Sequence, residues 1–110
     1  MSDRSEIAGA NYIIRKSGLS GTSGSKEIGV PKTAYNHQVS LATIVGGPTT
    51  GSVVIAARPV GSDTYENVQS GTIDPTAPLT LLFNGYFDSI KLTWSTFNGT
   101  SFAAVLAGGA

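Results

Sequence analysis

Histidine and the carboxylates come first in a search for chemistry, because proton transfer and metal binding depend on them. His37 is the single histidine of the 110-residue chain and lies at the entry to a strand-like run. A general base needs a partner that orients it and a nucleophile that it activates. A lone histidine supplies neither, so we expect His37 to be a surface or hydrogen-bonded residue without a catalytic role.

The acidic residues form no catalytic or metal-binding pattern in the sequence. Asp63, Glu66, Asp74 and Asp88 are scattered over predicted turns and strand ends. This spacing favours neither the paired carboxylates of a glycosidase nor the dense carboxylates of a calcium loop. The absence of cysteine removes disulfides, thiolate metal sites and thiol nucleophiles. We therefore predict a protein that is not an enzyme and has no cofactor and no metal.

Aromatic rings offer a second kind of chemistry, stacking on sugars or nucleobases. The chain has four tyrosines, namely Tyr12, Tyr35, Tyr65 and Tyr86. Seven basic and seven acidic residues cancel to a net charge of zero. A nucleic-acid site or an anionic membrane needs a surplus of Lys and Arg, so both partners are disfavoured. For the tyrosines we expect use at an interface or at the rim of the core.

The elements that would position these residues are β-strands. Residues 35–110 alternate apolar and polar side chains with a period of two, and turn signals such as Asn84-Gly85 separate the runs. The predicted strands are Gln38–Val45, Ser52–Val60, Thr64–Val68, Leu79–Phe83, Ser89–Ser95 and Ser101–Ala107. This pattern predicts an all-β fold, an antiparallel sandwich or barrel (jelly-roll-like or Ig-like) of about six to eight strands.

The same alternation predicts the core. Ile90, Leu92 and Trp94 share one face of their strand, so Trp94 is expected to be buried. The full set of expected core residues is Val39, Leu41, Val53, Ile55, Leu79, Leu81, Phe83, Ile90, Leu92, Trp94, Phe102 and Leu106.

Residues 1–34 differ in character from the rest of the chain. They are polar and interrupted by Ser-Gly pairs, which favours an extended Gly/Ser-rich arm outside a domain of residues 35–110. Within the arm, the strand-like residues Tyr12, Ile13, Ile14 and Arg15 are the candidate partner-binding segment. Such an arm can add a strand to the sheet edge of a neighbouring subunit. An inert tail is the equally weighted alternative.

Targeting signals are not visible in the sequence. The N-terminal residues contain no apolar run of the length of a signal-peptide core. The longest apolar run, Val53–Ala57, is far too short to cross a bilayer. We expect a chain that is made and folded in a cytoplasm, with no membrane partner.

A family resemblance lies in the second half of the chain. Gly51–Val68 contains a β-branched strand that ends in Ala-Arg-Pro, a glycine turn and then Tyr-Glu-Asn-Val. Gly71–Asp74, an apolar strand and Phe87–Ile90 follow. This succession over residues 50–92 resembles small virion structural proteins of tailed bacteriophages. The resemblance implies an all-β module that assembles on a virion in many copies.

The leading interpretation is a capsid decoration (cement) protein. It would bind and stabilise neighbouring subunits of the major capsid protein or other virion subunits, as a homo-oligomer or in many copies, and its location would be the virion. A neck or tail component is the alternative within that class. A carbohydrate-binding β-sandwich is the alternative from another class, and it requires Trp94 or several tyrosines to be exposed on one patch.

Overall fold

The structure, a computed structural model, describes residues 3–46, 50–74 and 79–110. These residues form nine β-strands, which are β1 (Arg4–Ala8), β2 (Asn11–Leu19), β3 (Gly24–Gly29), β4 (Asn36–Val45), β5 (Gly51–Pro59), β6 (Glu66–Ile73), β7 (Thr80–Asn84), β8 (Phe87–Ser95) and β9 (Ser101–Gly109). Within the described ranges, no helix is long and apolar enough to cross a membrane.

The strands form two antiparallel sheets. The five-stranded sheet has the order β1-β2-β9-β4-β7, and the four-stranded sheet has the order β3-β8-β5-β6. Every neighbouring pair of strands is antiparallel. The prediction of an all-β sandwich is confirmed, with more strands than expected because the N-terminal region supplies three of them.

Period-two alternation determines which side chains meet between the sheets. In β8, Ile90, Leu92 and Trp94 are buried, while Lys91 and Thr93 between them are half-buried on the other face. All the predicted core residues are buried except Leu79, which packs partly buried against the others. Trp94 is 5% exposed, as expected for a core residue.

The structure corrects the predicted division into an arm of residues 1–34 and a domain of residues 35–110. Strand β2 lies between β1 and β9, and β3 pairs with β8. Tyr12 and Ile14 are each 3% exposed in the core, and Ile28 is equally buried. These side chains cover apolar surface of both sheets, and that burial outweighs the flexibility of the intervening glycines.

The tight turn predicted at Asn84-Gly85 joins β7 to β8. Gly85 has a φ of 142°, a backbone conformation that residues other than glycine rarely adopt. A Cβ there would lie 2.5 Å from Cζ of Phe87. The turn therefore needs a glycine, and it places Tyr86 at one end of the sandwich, directly after Asn84 and Gly85.

Candidate functional site

His37 lies in the core beneath the β7–β8 turn. It is 3% exposed, and its ring stacks on Phe83 with a centroid distance of 5.2 Å. Nε2 lies 2.8 Å from the carbonyl oxygen of Gly85, and Nδ1 lies 2.7 Å from the hydroxyl of Tyr12. A carbonyl only accepts, so Nε2–H donates to Gly85, and Nδ1 of the neutral ring accepts a hydrogen bond from the hydroxyl of Tyr12.

Burial favours the neutral form of both members of this pair. Desolvation lowers the pKa of His37 below its usual value, and it raises the pKa of Tyr12 well above the usual range. Both ring nitrogens of His37 are used by internal hydrogen bonds. His37 therefore supports the turn that carries Tyr86. Of the two expected alternatives, a surface histidine and a hydrogen-bonded one, the structure shows the hydrogen-bonded one.

The acidic residues singled out in the sequence do not converge. Asp63 and Glu66 are exposed, in the loop after β5 and at the start of β6. Asp88 accepts a hydrogen bond from the backbone N–H of Gly61 and lies 3.6 Å from Nζ of Lys32. In the part of the chain that the structure describes, no three His, Cys, Asp or Glu side chains are grouped to hold a metal ion.

The predicted partner-binding segment is divided between the two faces of β2. Tyr12 and Ile14 point into the core, so they are not available to a partner. Ile13 is 41% exposed, and Arg15 donates a hydrogen bond of 2.8 Å to Oγ1 of Thr43. The prediction that this segment adds a strand to a neighbouring subunit is wrong, because both edges of β2 are already paired, with β1 and with β9.

An exposed aromatic pair lies at the end of the five-stranded sheet. Tyr35 is 43% exposed and Tyr86 is 56% exposed, and their ring centroids are 5.2 Å apart. The backbone fixes the pair, since the N–H of Gly85 donates to the carbonyl of Tyr35 at 2.8 Å. Two large rings are thus held together in solvent where they contribute little burial to the fold.

Two asparagines flank the tyrosine pair. Asn36 and Asn84 are register partners at the ends of β4 and β7, and both are exposed. Nδ2 of Asn36 donates to the carbonyl oxygen of Ala110 at 3.0 Å, which orients that amide. We call Tyr35, Asn36, Asn84 and Tyr86 the terminal patch. It combines aromatic faces with amide groups that both donate and accept hydrogen bonds.

Sequence reasoning recognised the tyrosines as candidates but missed the asparagines. Asn36 and Asn84 are 48 positions apart, and only the pairing of β4 with β7 brings them together. The available signal was the position of each asparagine, one residue after Tyr35 and two residues before Tyr86. Trp94 cannot serve as a surface platform, because its ring is buried against Phe102 with its Nε1–H donated to the Gly21 carbonyl.

Comparison with protein families gives one match. A family model described as "Domain of unknown function (DUF7265)" matches residues 21–107, which is most of the chain. The chain belongs to this family. Its match begins before β3 and ends within β9, so it extends well beyond the stretch over which the phage resemblance was drawn. No curated protein matches the chain.

Several solved structures are similar in arrangement. They include the CBM32 of AlyQ in complex with 4,5-unsaturated mannuronic acid, at 16% identity and a TM-score of 0.47, with 87% of this chain and 75% of that chain covered. A mutant of CBM29-2 matches at 16% identity and a TM-score of 0.45, with 96% of this chain and 73% of that chain covered. The xylan-binding domain from CBM 22 matches at 16% identity and a TM-score of 0.43, with 98% of this chain and 81% of that chain covered. At these values the likeness carries no statement about what this chain binds.

Proposed function

We propose that this chain is a non-catalytic carbohydrate-binding β-sandwich that holds a glycan on the terminal patch. The observation that carries the proposal is the exposed pair of Tyr35 and Tyr86, with ring centroids 5.2 Å apart, beside the amides of Asn36 and Asn84. A sugar ring presents apolar C–H faces and a rim of hydroxyls. The electron-rich faces of tyrosine rings attract such C–H groups, and amides match the hydroxyls as donors and acceptors.

The rigidity of the patch supports this use. Nε2–H of His37 donates a hydrogen bond to the carbonyl of Gly85, and the N–H of Gly85 donates one to the carbonyl of Tyr35. The turn that carries Tyr86 is therefore fixed before any ligand arrives. A preformed site loses less conformational entropy on binding, which favours affinity for a small ligand.

Glycan-array screening followed by calorimetry tests the proposal. We expect the chain to bind at least one class of glycan, and we expect Tyr86→Ala to weaken that binding at least tenfold because the exposed tyrosine pair is lost. Val45→Ala is the matched control. It removes another exposed apolar side chain, 46% exposed at the opposite end of β4. Absence of binding to every glycan, or equal affinity of Tyr86→Ala, would overturn the proposal.

A virion structural module is the second candidate, and the sequence pattern of residues 50–92 favours it. That pattern falls on β5 to β8, the strands that supply most of the four-stranded sheet and one edge of the other. The partner would be the major capsid protein or another virion subunit. Quantitative mass spectrometry of purified phage particles that encode the chain tests this candidate. Many copies per head indicate decoration, six or twelve indicate a neck or tail position, and absence from particles contradicts it.

A further inference from the structure

The outer face of the five-stranded sheet carries its side chains in rows that cross the strands. The register places Asn11, Gly109, Asn36 and Asn84 in one row. The next outward row, two residues further along each strand, contains Ile13, Ala107, Gln38 and Leu82. Of the residues between the rows, Tyr12, His37 and Phe83 turn their side chains into the core, and Gly108 of β9 has no side chain.

A trough lies between the two rows. A concavity of about 430 Å³ covers the β1–β2–β9 side, and one of about 310 Å³ covers the β9–β4–β7 side. Both are lined by Ala107 and Gly108 of β9, so they meet over this strand. We call the combined feature the crossing groove. Five strands at a spacing of about 4.8 Å give it a length of about 19 Å.

Small residues on β9 keep the groove open where the two concavities meet. Ala107 projects only a methyl group between Ile13 and Gln38, its partners on either side. At Gly109, a Cβ would lie 2.6 Å from Oδ1 of Asn11. Any larger residue at either position would interrupt the path from β2 to β4.

Both walls of the groove combine amides with small or apolar side chains. One wall carries the amides of Asn11 and Asn36 on either side of Gly109. The other carries Ile13, 41% exposed, and Leu82, 62% exposed, with Ala107 and the amide of Gln38 between them. A trough in which hydrogen-bonding groups lie beside apolar groups matches the hydroxyl edges and C–H faces of a sugar chain.

The charge of the lining and the available contact area restrict which class of ligand the groove can bind. The one carboxylate among the residues that line the two concavities is Glu6, and it is paired with Arg4. The other two ionisable side chains of the lining, Tyr12 and His37, are buried and hydrogen-bonded to each other. A charged glycan therefore gains nothing specific from the walls. A protein partner needs about 800 Å² of contact on each side for a stable complex, whereas a trough about 19 Å long between rows about 7 Å apart outlines about 130 Å².

The crossing groove is continuous with the terminal patch, because Asn36 belongs to both. We infer that the groove binds a neutral, unbranched glycan chain whose first units lie on Tyr35 and Tyr86 and whose later units cross β4 and β9 toward β2. This inference rests on the proposed function and extends it from a single sugar contact to a chain. It requires affinity to increase with chain length.

Calorimetry with neutral oligosaccharides of one to six units tests the inference. The probes are cello-, xylo- and manno-oligosaccharides. We expect the affinity for one of these series to rise at least tenfold between two and five units. Ala107→Phe fills the groove over β9 and should remove this rise, while the affinity for the shortest bound member stays unchanged. Val105→Phe is the matched control, since it enlarges the same strand one row outside the groove.

A second variant guards against misfolding of Ala107→Phe. Leu82→Ala removes an exposed apolar part of the wall and should weaken the binding of long chains only. Equal affinity for short and long chains of the bound series, or a length dependence that survives Ala107→Phe and Leu82→Ala, would overturn the groove. Binding to charged glycans alone would overturn the neutral-chain inference and leave the proposed function standing. Failure of the proposed function looks different, because then no glycan of the array binds, or Tyr86→Ala binds as tightly as the unchanged chain.

Discussion

At the scale of single residues, Trp94 illustrates how firmly the core is specified. Its ring lies over Gly24, where a Cβ would come within 2.5 Å of Cζ2, and it meets Phe102 edge-on at a centroid distance of 5.3 Å. Trp94→Ala should lower the free energy of unfolding by about 3–5 kcal/mol, because it leaves a large cavity in a packed interior. Chemical denaturation measures this loss. Tyr86→Ala, at an exposed ring, should change stability little, and an equal loss in both variants would contradict the assignment of Trp94 to the core.

His37 gives a second prediction at this scale, for the pH dependence of stability. Burial lowers its pKa in the folded state, so the unfolded chain takes up the proton first as the pH falls. The stabilisation linked to the lowered pKa of His37 is present in full above the pKa of about 6.5 that histidine has in the unfolded chain. It is lost as the pH falls from there to the pKa of His37 in the folded chain. The free energy of unfolding should drop by at most about 1.4 kcal/mol per pH unit in this window.

Urea denaturation between about pH 7 and pH 5 measures the effect, in a range where histidine is the main side chain that titrates. His37→Gln is the matched variant, since its amide offers donor and acceptor groups without titrating. The variant is expected to be less stable at neutral pH but to show a much flatter profile. A profile with the same slope as that of the unchanged chain would assign the pH dependence to other groups.

At the scale of elements, the N-terminal strands show that some strands cannot be predicted from local sequence signals, because they depend on long-range pairing. The strands of residues 35–110 were predictable, because alternation and turn residues such as Asn84-Gly85 are local signals. Residues 4–29 were not, apart from the strand-like segment Tyr12–Arg15, because their Ser-Gly pairs indicate flexibility. Here Ser17-Gly18 lies within β2 at a register shift, and Ser20-Gly21 lies between β2 and β3. Tyr12 and Ile14 gain their stability from pairing with β9, more than 90 residues away, and no local pattern shows that partner.

Deletion of residues 1–34 tests this corrected view. The truncated chain loses β2 and β3, with the buried side chains of Tyr12, Ile14 and Ile28, and we expect it to lack a cooperative unfolding transition. Deletion of residues 1–8 is the control, because every side chain of β1 is exposed and β1 lies at the sheet edge. That shorter deletion should leave a cooperative transition. A folded 35–110 fragment would restore the boundary that the sequence predicted.

The candidate site follows the same division between local and long-range signals. Tyr35 and Tyr86 were visible as aromatic candidates in the sequence, and Trp94 was correctly placed in the core. The asparagine row and the groove were not visible, since they depend on the register of β4 with β7 and β9. A one-residue slip in that register would turn every one of these side chains to the other face. Alternation within a strand predicts which residues share a face, but not which strands are neighbours.

At the scale of the whole molecule, the last strand completes the five-stranded sheet. Strand β9 lies between β2 and β4, so strands from both ends of the chain meet in the centre of that sheet. The terminal patch and the crossing groove both depend on β9, through the carbonyl of Gly109 that accepts from the N–H of Tyr35 and through Ala107. Neither surface exists until the chain has folded over its full length, which makes binding a sensitive report of the complete fold.

The zero net charge of the chain leads to the last prediction, the salt dependence of binding. Binding that rests on aromatic stacking and amide hydrogen bonds to a neutral glycan does not release counterions. Its affinity should therefore stay within a factor of about two between roughly 0.05 M and 0.5 M salt. Calorimetry with the tightest-binding neutral oligosaccharide measures this, and the protein's melting temperature at each salt concentration controls for changes in stability. A fall of tenfold or more would show that charged groups such as Arg15 or Lys91 carry the interaction, and the site would then lie away from the terminal patch.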